Sequence, residues 1–273
     1  MKEQTLFARA SSWFGSFPFP LTGKRSALLW GSSGIAFALL GWAGAAWWFC
    51  NPIVLPSPGE VFAGFKELLA DGSLVRDIGA SIRRVLGGFL IAAGIGVPLA
   101  LLMAYVRPFR YLGLPVLALL RPIPPIAWIP IAILWFGISD RSSYFITALG
   151  AFFPIFINSL SGGLSVQKVH VHAASCLGAG RWALLRRVFL PSALPMVWTG
   201  LKIGLGQAWM AVITAELVAA QSGLGYMIQL NRLQMETPRV LVGMAVIGIL
   251  GALMTSVLGW VEQRLFPWNQ TAQ

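Results

Sequence analysis

Charged residues are scarce in this chain. Asp, Glu, Lys and Arg make up 11% of its 273 residues, against about 25% in soluble domains. Hydrophobic residues make up 57% of the sequence, and the mean hydropathy is +0.74. The apolar stretches are too long and too many for one soluble core, so the composition excludes an ordinary soluble domain. It predicts an all-α protein that spans the lipid bilayer.

Residues that carry most enzyme chemistry are also rare. The two cysteines, Cys50 and Cys176, are far apart, and the two histidines are His170 and His172. The cysteines have no metal-ligand spacing, and with only two histidines in the chain neither a zinc site nor a disulfide framework is expected. The chain has no Gly-x4-Gly-Lys-Ser/Thr phosphate loop, no Gly-x-Ser-x-Gly elbow and no His-Glu-x-x-His motif. The sequence therefore predicts no metal site, no catalytic site and no ATP site of its own.

Six apolar segments have the length of membrane-spanning helices. The first carries no charge and reaches about 36 Å at 1.5 Å per residue, enough to cross a hydrocarbon core of about 30 Å. A signal peptide is the alternative, but its apolar region would be only about 7–15 residues long, which favours a retained helix. The predicted spans are Ala27–Cys50, Val85–Val106, Tyr111–Gly137, Ser143–Leu164, Ser192–Leu217 and Val240–Trp260.

The distribution of Lys and Arg predicts that both termini are cytoplasmic. With the N-terminus inside, the inner segments hold eleven of the 20 basic residues and the outer segments seven, while Arg121 and Lys202 fall within spans. The net charge of +11 is assigned to this flanking role, because no basic stripe is interleaved with aromatic residues and no nucleic-acid partner is expected. The predicted organisation is a cytoplasmic or interfacial segment 1–26, a transmembrane domain 27–265 and a cytoplasmic tail 266–273.

Two segments beside the spans have an amphipathic character. Pro56-Ser57-Pro58-Gly59 opens the outer loop Asn51–Ser81. Apolar residues then recur at helical spacing, which predicts a short helix in the membrane interface. The aromatic segment Trp13–Pro20 predicts a second interfacial element near the N-terminus. Both are interpreted as anchors.

Prolines interrupt the third span, which contains Arg121-Pro122-Ile123-Pro124-Pro125-Ile126-Ala127-Trp128-Ile129-Pro130. Because proline lacks an N–H group and clashes with the preceding turn, the helix must unwind or kink here. Non-helical backbone at membrane depth is tolerated only inside protein or beside a water-filled cavity. The prolines therefore indicate either a break that lines a transport pathway or a kink that serves packing.

Arg121 and Glu216 lie within or at the end of spans, where ionisable groups are costly and usually face a cavity or a partner. In one interpretation Arg121 helps an anion to cross and Glu216 lines or gates the outer mouth. In the other, the two residues pair, or Glu216 is hydrated at the outer interface. The candidate pathway residues are Arg121, Pro122, Pro125, Trp128, Trp209 and Glu216. In the fifth span, Gly200-x3-Gly204 allows close helix approach, within one chain or between two copies.

The segment 165–189, between the fourth and fifth predicted spans, contains no acidic residue. Gly178 and Gly180 are placed to end one short helix and let the chain turn into the next. Its position between two spans predicts a cytoplasmic element that binds a partner. Its basic residues are Lys168, Arg181, Arg186 and Arg187.

This segment resembles the cytoplasmic signature loop of ABC-importer permeases, whose pattern is Glu-Ala-Ala-x3-Gly-x9-Ile-x-Leu-Pro. The chain reads His172-Ala173-Ala174-x3-Gly178-x9-Val188-x-Leu190-Pro191, with His172 in place of the glutamate. From Leu55 to Trp268 the chain is similar to the taurine, alkanesulfonate, nitrate and bicarbonate branch. The matching motifs are Leu55-Pro56-Ser57-Pro58, Ser81-Ile82-Arg83-Arg84-Val85, Arg121 to Trp128, Trp135-Phe136-Gly137-Ile138, Thr214-Ala215-Glu216-Leu217 and Gly223-Leu224-Gly225.

The resemblance implies the type I importer permease fold in the bacterial cytoplasmic membrane. Two copies of the chain would form the pathway, two ABC ATPase subunits would bind the coupling residues, and a soluble binding protein would deliver substrate. ATP and Mg²⁺ would be held by the ATPases, so this chain needs no cofactor. Taurine or another alkanesulfonate is the favoured substrate, with nitrate or bicarbonate as the alternative within the branch. A self-sufficient secondary transporter or channel and a membrane enzyme are the alternatives of other classes. The implied coupling residues are His172, Ala173, Ala174, Gly178, Leu190 and Pro191.

Overall fold

The computed structural model describes residues 24–49, 51 and 53–266, and within these ranges every regular element is a helix. The predicted all-α class is therefore confirmed. A 3-10 helix, Pro125–Trp128, precedes α5, and α8 includes a π-helical stretch, Leu185–Phe189. The helices are α1 Lys24–Phe49, α2 Pro58–Ala70, α3 Ser73–Tyr105, α4 Arg107–Leu120, α5 Ile129–Phe136, α6 Asp140–Leu164, α7 Lys168–Cys176, α8 Arg181–Ala219, α9 Leu224–Leu233 and α10 Thr237–Leu265.

Four of these helices, α3, α6, α8 and α10, are long and apolar enough to cross a membrane. The helix α4 and the segment Pro125–Phe136 pass the same test together, but they meet at 89° and make a fifth span only if both arms belong to it. The helix α1 covers the first predicted span and is 26 residues long. The described residues thus support a multi-pass membrane protein. The count of six spans and the cytoplasmic termini stay predictions.

Contacts divide the chain into two compact units, Met1–Pro58 and Gly59–Gln273. In the first unit the Trp42 indole Nε1 donates a hydrogen bond to the Pro56 carbonyl at 3.1 Å, which ties α1 to the loop that follows it. Most of the predicted N-terminal segment 1–26, including Trp13–Pro20, lies outside the described residues. The same holds for the predicted tail 266–273, apart from Phe266.

Glycines set the close helix crossings of the second unit, in which α6 packs against both α3 and α8. A Cβ atom at Gly88 of α3 would lie 2.5 Å from Thr147 Cβ, and one at Gly204 of α8 would lie 2.5 Å from Ile155 Cγ1. A Cβ at Gly200 would lie 2.8 Å from a side-chain carbon of α6. The Gly200-x3-Gly204 pattern is therefore used within one chain.

We expect Gly204→Val to destabilise the chain by about 1–3 kcal/mol, because overpacking a tight helix crossing forces side chains and backbone apart. Gly206→Val is the matched control, since a Cβ at Gly206 meets no atom within 4 Å and the change in helix propensity is the same. Thermal unfolding of both variants in detergent measures the difference. Equal midpoints would contradict the assigned crossing.

The predicted amphipathic helix of the outer loop is present as α2. It buries Gly64 and Leu68, and Val61 and Phe65 pack against the main hydrophobic core. A salt bridge of 3.0 Å between Arg239 of α10 and a carboxylate of α2 adds a polar contact. This helix is thus part of the folded unit as well as amphipathic. The helix α9 was not predicted from the sequence.

Candidate functional site

A Schellman motif ends α7 and accounts for the spacing between the Ala-Ala pair and Gly178. The Gly178 N–H donates to the Ser175 carbonyl at 3.0 Å, and the Ala179 N–H donates to the Ala174 carbonyl at 3.0 Å. Gly178 has φ +81°, the left-handed conformation that this motif requires and that glycine adopts without steric cost. The expectation that Gly178 ends a short helix is confirmed. Gly180 then precedes α8 with an ordinary φ of −68°.

The Leu190-Pro191 end of the pattern lies inside a continuous helix. The helix α8 runs unbroken from Arg181 to Ala219, whereas the fifth span was expected to begin at Ser192. The Leu190 N–H donates to the Leu185 carbonyl, the i to i−5 pairing of a π-helix. A π-helical bulge loosens the turn just before Pro191, where the proline ring and its missing N–H are incompatible with a regular α-helix. The helix therefore continues from Arg181 into the fifth predicted span without a break.

The residues from α7 to the start of α8, which we call the coupling segment (Lys168–Phe189), present large apolar side chains to solvent. Leu177 is 88% exposed, Trp182 72% and Val169 71%, and His172 is also exposed. Exposed apolar groups surrounded by polar residues mark surfaces that bind a partner. The segment carries four basic residues and no acidic one, so such a partner would be acidic at its rim.

The coupling segment is packed onto the ends of two membrane helices. The Phe189 ring meets the Tyr105 ring of α3 edge-on, with 5.4 Å between the centroids. A Cβ at Gly163 of α6 would lie 3.1 Å from Phe189 Cζ and 2.4 Å from Ala104 Cβ. The coupling segment therefore packs closely against the ends of α3 and α6.

The proline-rich stretch breaks the third predicted span, as expected. The helix α4 ends at Leu120, and the chain turns through 89° into the 3-10 helix that begins at Pro125. Two short-range bonds satisfy the turn: the Ile123 N–H donates to the Leu120 carbonyl at 3.2 Å, and the Ala127 N–H donates to the Pro124 carbonyl at 3.0 Å. Arg121 itself keeps helical dihedrals and donates its N–H to the Leu117 carbonyl at 3.0 Å, so the chain leaves the helix directly after it.

Two neighbouring cavities open at this break and share Arg121, Phe153 and Ile157. The first has a volume of about 430 Å³ and an apolar lining apart from Arg121. The second, about 370 Å³, adds the amide side chains of Asn158 and Gln207. Of the candidate pathway residues, Pro122 lines the first cavity and Pro125 the second.

The other three candidate pathway residues lie away from these cavities. Trp128 packs against the small cluster that contains Ile129, and Trp209 is buried in the main core. Glu216 is fully buried and binds Arg84 at 2.8 Å. The interpretation that Glu216 pairs with Arg121 is therefore not realised. Sequence reasoning missed Arg84 because the span boundaries placed this residue in an outer loop. Arg84 nevertheless stands within a motif of the branch that the sequence resembles.

A buried cluster of charges joins α3, α6 and α8 at the ends opposite the coupling segment. The Arg84 guanidinium, 3% exposed, donates to Glu216 Oε1 at 2.8 Å and to Asp140 Oδ1 at 2.6 and 2.9 Å. It also donates to the Ser222 carbonyl at 2.6 Å and to the Ser222 hydroxyl at 2.8 Å. The Ser81 hydroxyl lies 2.8 Å from Glu216 Oε2. Both buried charges are thus compensated by close hydrogen bonds.

The turn before α9 is fitted to this cluster. The Gly225 N–H donates to Glu216 Oε2 at 2.9 Å, the Leu224 N–H to the Ser81 hydroxyl at 2.8 Å, and the Gly223 N–H to Asp77 Oδ1 at 2.9 Å. Gly223 has φ +107°, and a Cβ there would lie 2.4 Å from Glu216 Oε1. Only glycine fits this position. Asp77, Ser81 and Arg84 on the first turns of α3 therefore face the protein interior, although hydropathy placed them outside the span.

Comparisons with known proteins place these features in a family. Residues 96–267 match the family described as binding-protein-dependent transport system inner membrane component. The chain is 36% identical to the taurine transport system permease protein TauC of Escherichia coli (strain K12), over 85% of this chain and 86% of that protein. It is 35% identical to SsuC of Bacillus subtilis (strain 168), whose name refers to aliphatic sulfonates transport, over 80% of this chain and 79% of that protein.

A solved structure shares the fold. It is described as inward-facing conformations of the MetNI methionine ABC transporter. The match has a TM-score of 0.57 and 20% sequence identity, and it covers 70% of this chain and 94% of that chain. The helices of the second unit thus form an ABC importer permease fold.

Proposed function

The chain belongs to the family of binding-protein-dependent transport system inner membrane components, and we propose that it is the permease subunit of an ATP-driven importer for taurine or another alkanesulfonate. The observation that carries this proposal is the coupling segment. Its Gly178 turn sets α7 against the start of α8, and exposed Leu177 and Trp182 provide a surface for an ATPase. Phe189 joins that surface to α3 and α6.

The proposed assembly contains two copies of the chain, two ABC ATPase subunits and a substrate-binding protein on the outer face. ATP and Mg²⁺ bind to the ATPases, so the chain itself needs no cofactor and hydrolyses nothing. The assembly lies in the bacterial cytoplasmic membrane, with six spans and both termini in the cytoplasm. The residues proposed to meet the ATPase are His172, Ala173, Ala174 and Gly178, with Leu190 and Pro191 at the junction to the membrane.

The proposed transport cycle is a rigid-body movement driven by the ATPases. ATP binding closes the two ATPase subunits and draws the coupling segments together. Because α8 continues from the coupling segment through the membrane to Glu216, the movement reaches the opposite end of the bundle. The permease then exchanges inward- and outward-facing states, and the loaded binding protein biases this equilibrium.

The names of TauC and SsuC support a sulfonate as substrate. Nitrate or bicarbonate is the alternative within the branch that the sequence resembles. The cation at the helix break, Arg121, pairs with no carboxylate among the described residues and suits any of these anions. A sulfonate is preferred because the apolar cavity beside Arg121 has space for the carbon chain that nitrate and bicarbonate lack.

Reconstitution tests the proposal. The chain is combined in nanodiscs with an ABC ATPase and a binding protein encoded beside it, and ATP hydrolysis is measured with taurine, alkanesulfonates, nitrate and bicarbonate. We expect a sulfonate to stimulate hydrolysis only when the binding protein is present. Stimulation by nitrate or bicarbonate but by no sulfonate would overturn the assignment of a sulfonate as substrate. Failure of the chain to bind the ATPase would overturn the permease role.

A further inference from the structure

Arg121 is an exposed cation at mid-height of the helix bundle with no partner in the described ranges. Its guanidinium forms no hydrogen bond or ion pair there. It shares its cavities with Phe153, Pro154 and Ile157, which lie near the middle of the 25-residue helix α6. An arginine at this depth is costly unless it faces water, a counter-ion or a ligand.

The polar cavity beside Arg121 offers further hydrogen-bond donors. Asn158 Nδ2 donates one hydrogen to the Pro154 carbonyl at 2.8 Å, which fixes the amide and leaves its second hydrogen available. The Gln207 side chain lines the same cavity from α8. No carboxylate lines either cavity. The site thus carries one positive charge and amide groups, which matches the head group of a monoanion.

The neighbouring cavity is suited to an apolar tail. It is lined by Leu114, Leu117, Phe156 and Leu160 and meets the polar cavity at Arg121. Its volume of about 430 Å³ lies in the range of small-molecule sites, about 300–1,000 Å³. A ligand with its charge at Arg121 can therefore place a hydrocarbon chain in this cavity.

We propose that this chain holds its own binding site for an amphiphilic monoanion, with the head group at Arg121, Asn158 and Gln207 and the tail between α4 and α6. The inference rests on the proposed function and deepens it, because it assigns part of the substrate selection to the permease. An ammonium group finds no counter-charge in either cavity, so the site prefers an alkanesulfonate with an unsubstituted chain to taurine. An alkanesulfonate and an anionic phospholipid share the recognised chemistry.

Direct binding to the chain alone tests the site. The chain is purified into phosphatidylcholine nanodiscs without ATPase or binding protein, and binding of radiolabelled hexanesulfonate is measured. We expect saturable binding that weakens at least about tenfold, equivalent to 1.4 kcal/mol, in Arg121→Gln. Arg110→Gln, which removes a cation of the same helix outside both cavities, is the matched control and is expected to bind normally.

Three further experiments distinguish the head-group contact, the tail contact and the source of the ligand. Leu117→Trp fills the apolar cavity and is expected to weaken hexanesulfonate binding more than methanesulfonate binding. Arg121→Lys retains the charge and is expected to recover part of the affinity, which excludes misfolding as the cause. Competition by phosphatidylglycerol, lost in Arg121→Gln, would assign the site to the lipid head group, whereas competition by soluble alkanesulfonates alone assigns it to substrate.

Unchanged hexanesulfonate affinity in Arg121→Gln, or equal affinity for taurine and hexanesulfonate, would overturn the site. This failure is distinct from failure of the proposed function. An importer whose ATPase responds to sulfonates although the isolated chain binds none refutes only the site. A chain that binds hexanesulfonate but no ATPase keeps the site and refutes the importer.

Discussion

Arg84→Ala is expected to lower the free energy of unfolding by about 3–5 kcal/mol, because it leaves the buried Glu216 carboxylate without its positive partner. Glu216 is 0% exposed, and Arg84 is 3% exposed. Only the Ser81 hydroxyl and the Gly225 N–H remain to stabilise the charge. The measurement is the thermal unfolding midpoint of the purified chain in detergent.

The neighbouring arginine provides the matched control. Arg83 also pairs with Asp140, but its side chain is 62% exposed, and exposed ion pairs contribute about 0–1 kcal/mol. We expect Arg83→Ala to unfold close to the unmodified chain. The double variant Arg84→Met/Glu216→Leu is expected to recover much of the loss, because apolar side chains replace both charges. Equal losses in Arg83→Ala and Arg84→Ala would contradict the buried cluster.

Gly178→Val is expected to uncouple the permease from its ATPase while the chain still inserts and folds. A side chain at φ +81° is strained by about 1–2 kcal/mol, and more when it is β-branched. The valine variant cannot keep the left-handed conformation, so the Schellman turn is lost. The orientation of α7 relative to the start of α8 is then no longer fixed. Docking must restore the turn, and ATPase affinity is expected to fall about 5- to 30-fold.

Gly180→Ala is the control for this second prediction. Gly180 has φ −68°, and a Cβ there meets no atom within 4 Å, so alanine fits without strain. Affinity is measured by titrating the ATPase onto nanodiscs that contain each variant, and folding by the unfolding midpoint. If Gly178→Val and Gly180→Ala bind the ATPase equally well, the turn has no part in docking.

The two ends of the bundle are joined by one rigid element. The helix α8 is 39 residues long, about 58 Å at 1.5 Å per residue. It begins in the coupling segment and carries Glu216 near its last turn. The π-helical stretch before Pro191 is the one departure from α geometry along it. The same helix thus connects Trp182 to the buried cluster around Arg84.

Features set by local chemistry were predictable from the sequence. The Gly178 turn follows from a glycine placed after a short helix, the break near Arg121 follows from consecutive prolines, and α2 follows from apolar residues at helical spacing. Each depends on residues close together in the chain. The four helices that are long and apolar enough to cross a membrane were also predicted, but their observed ends differ where a helix continues past its apolar part.

Features set by long-range packing were not predictable. Arg84 and Glu216 are 132 residues apart in sequence, and no local pattern around either residue identifies its partner. Hydropathy assigned Arg84 to an outer loop because it cannot distinguish a solvated arginine from one buried inside protein. The crossing of α8 with α6 at Gly204 required knowledge of which helices are neighbours.

Thiol protection at Cys176 tests the central claim, that the coupling segment docks an ATPase. Cys176 is exposed on α7, and Cys50→Ser makes it the only cysteine of the chain. Maleimide labelling is measured in nanodiscs with and without the ATPase. The control is Val75→Cys in a chain that also carries Cys50→Ser and Cys176→Ser. Val75 is exposed and lies near the start of α3, at the end away from the coupling segment. The account predicts that the ATPase slows labelling at Cys176 but not at position 75. Unchanged labelling of Cys176 in a nanodisc that has bound the ATPase would contradict it.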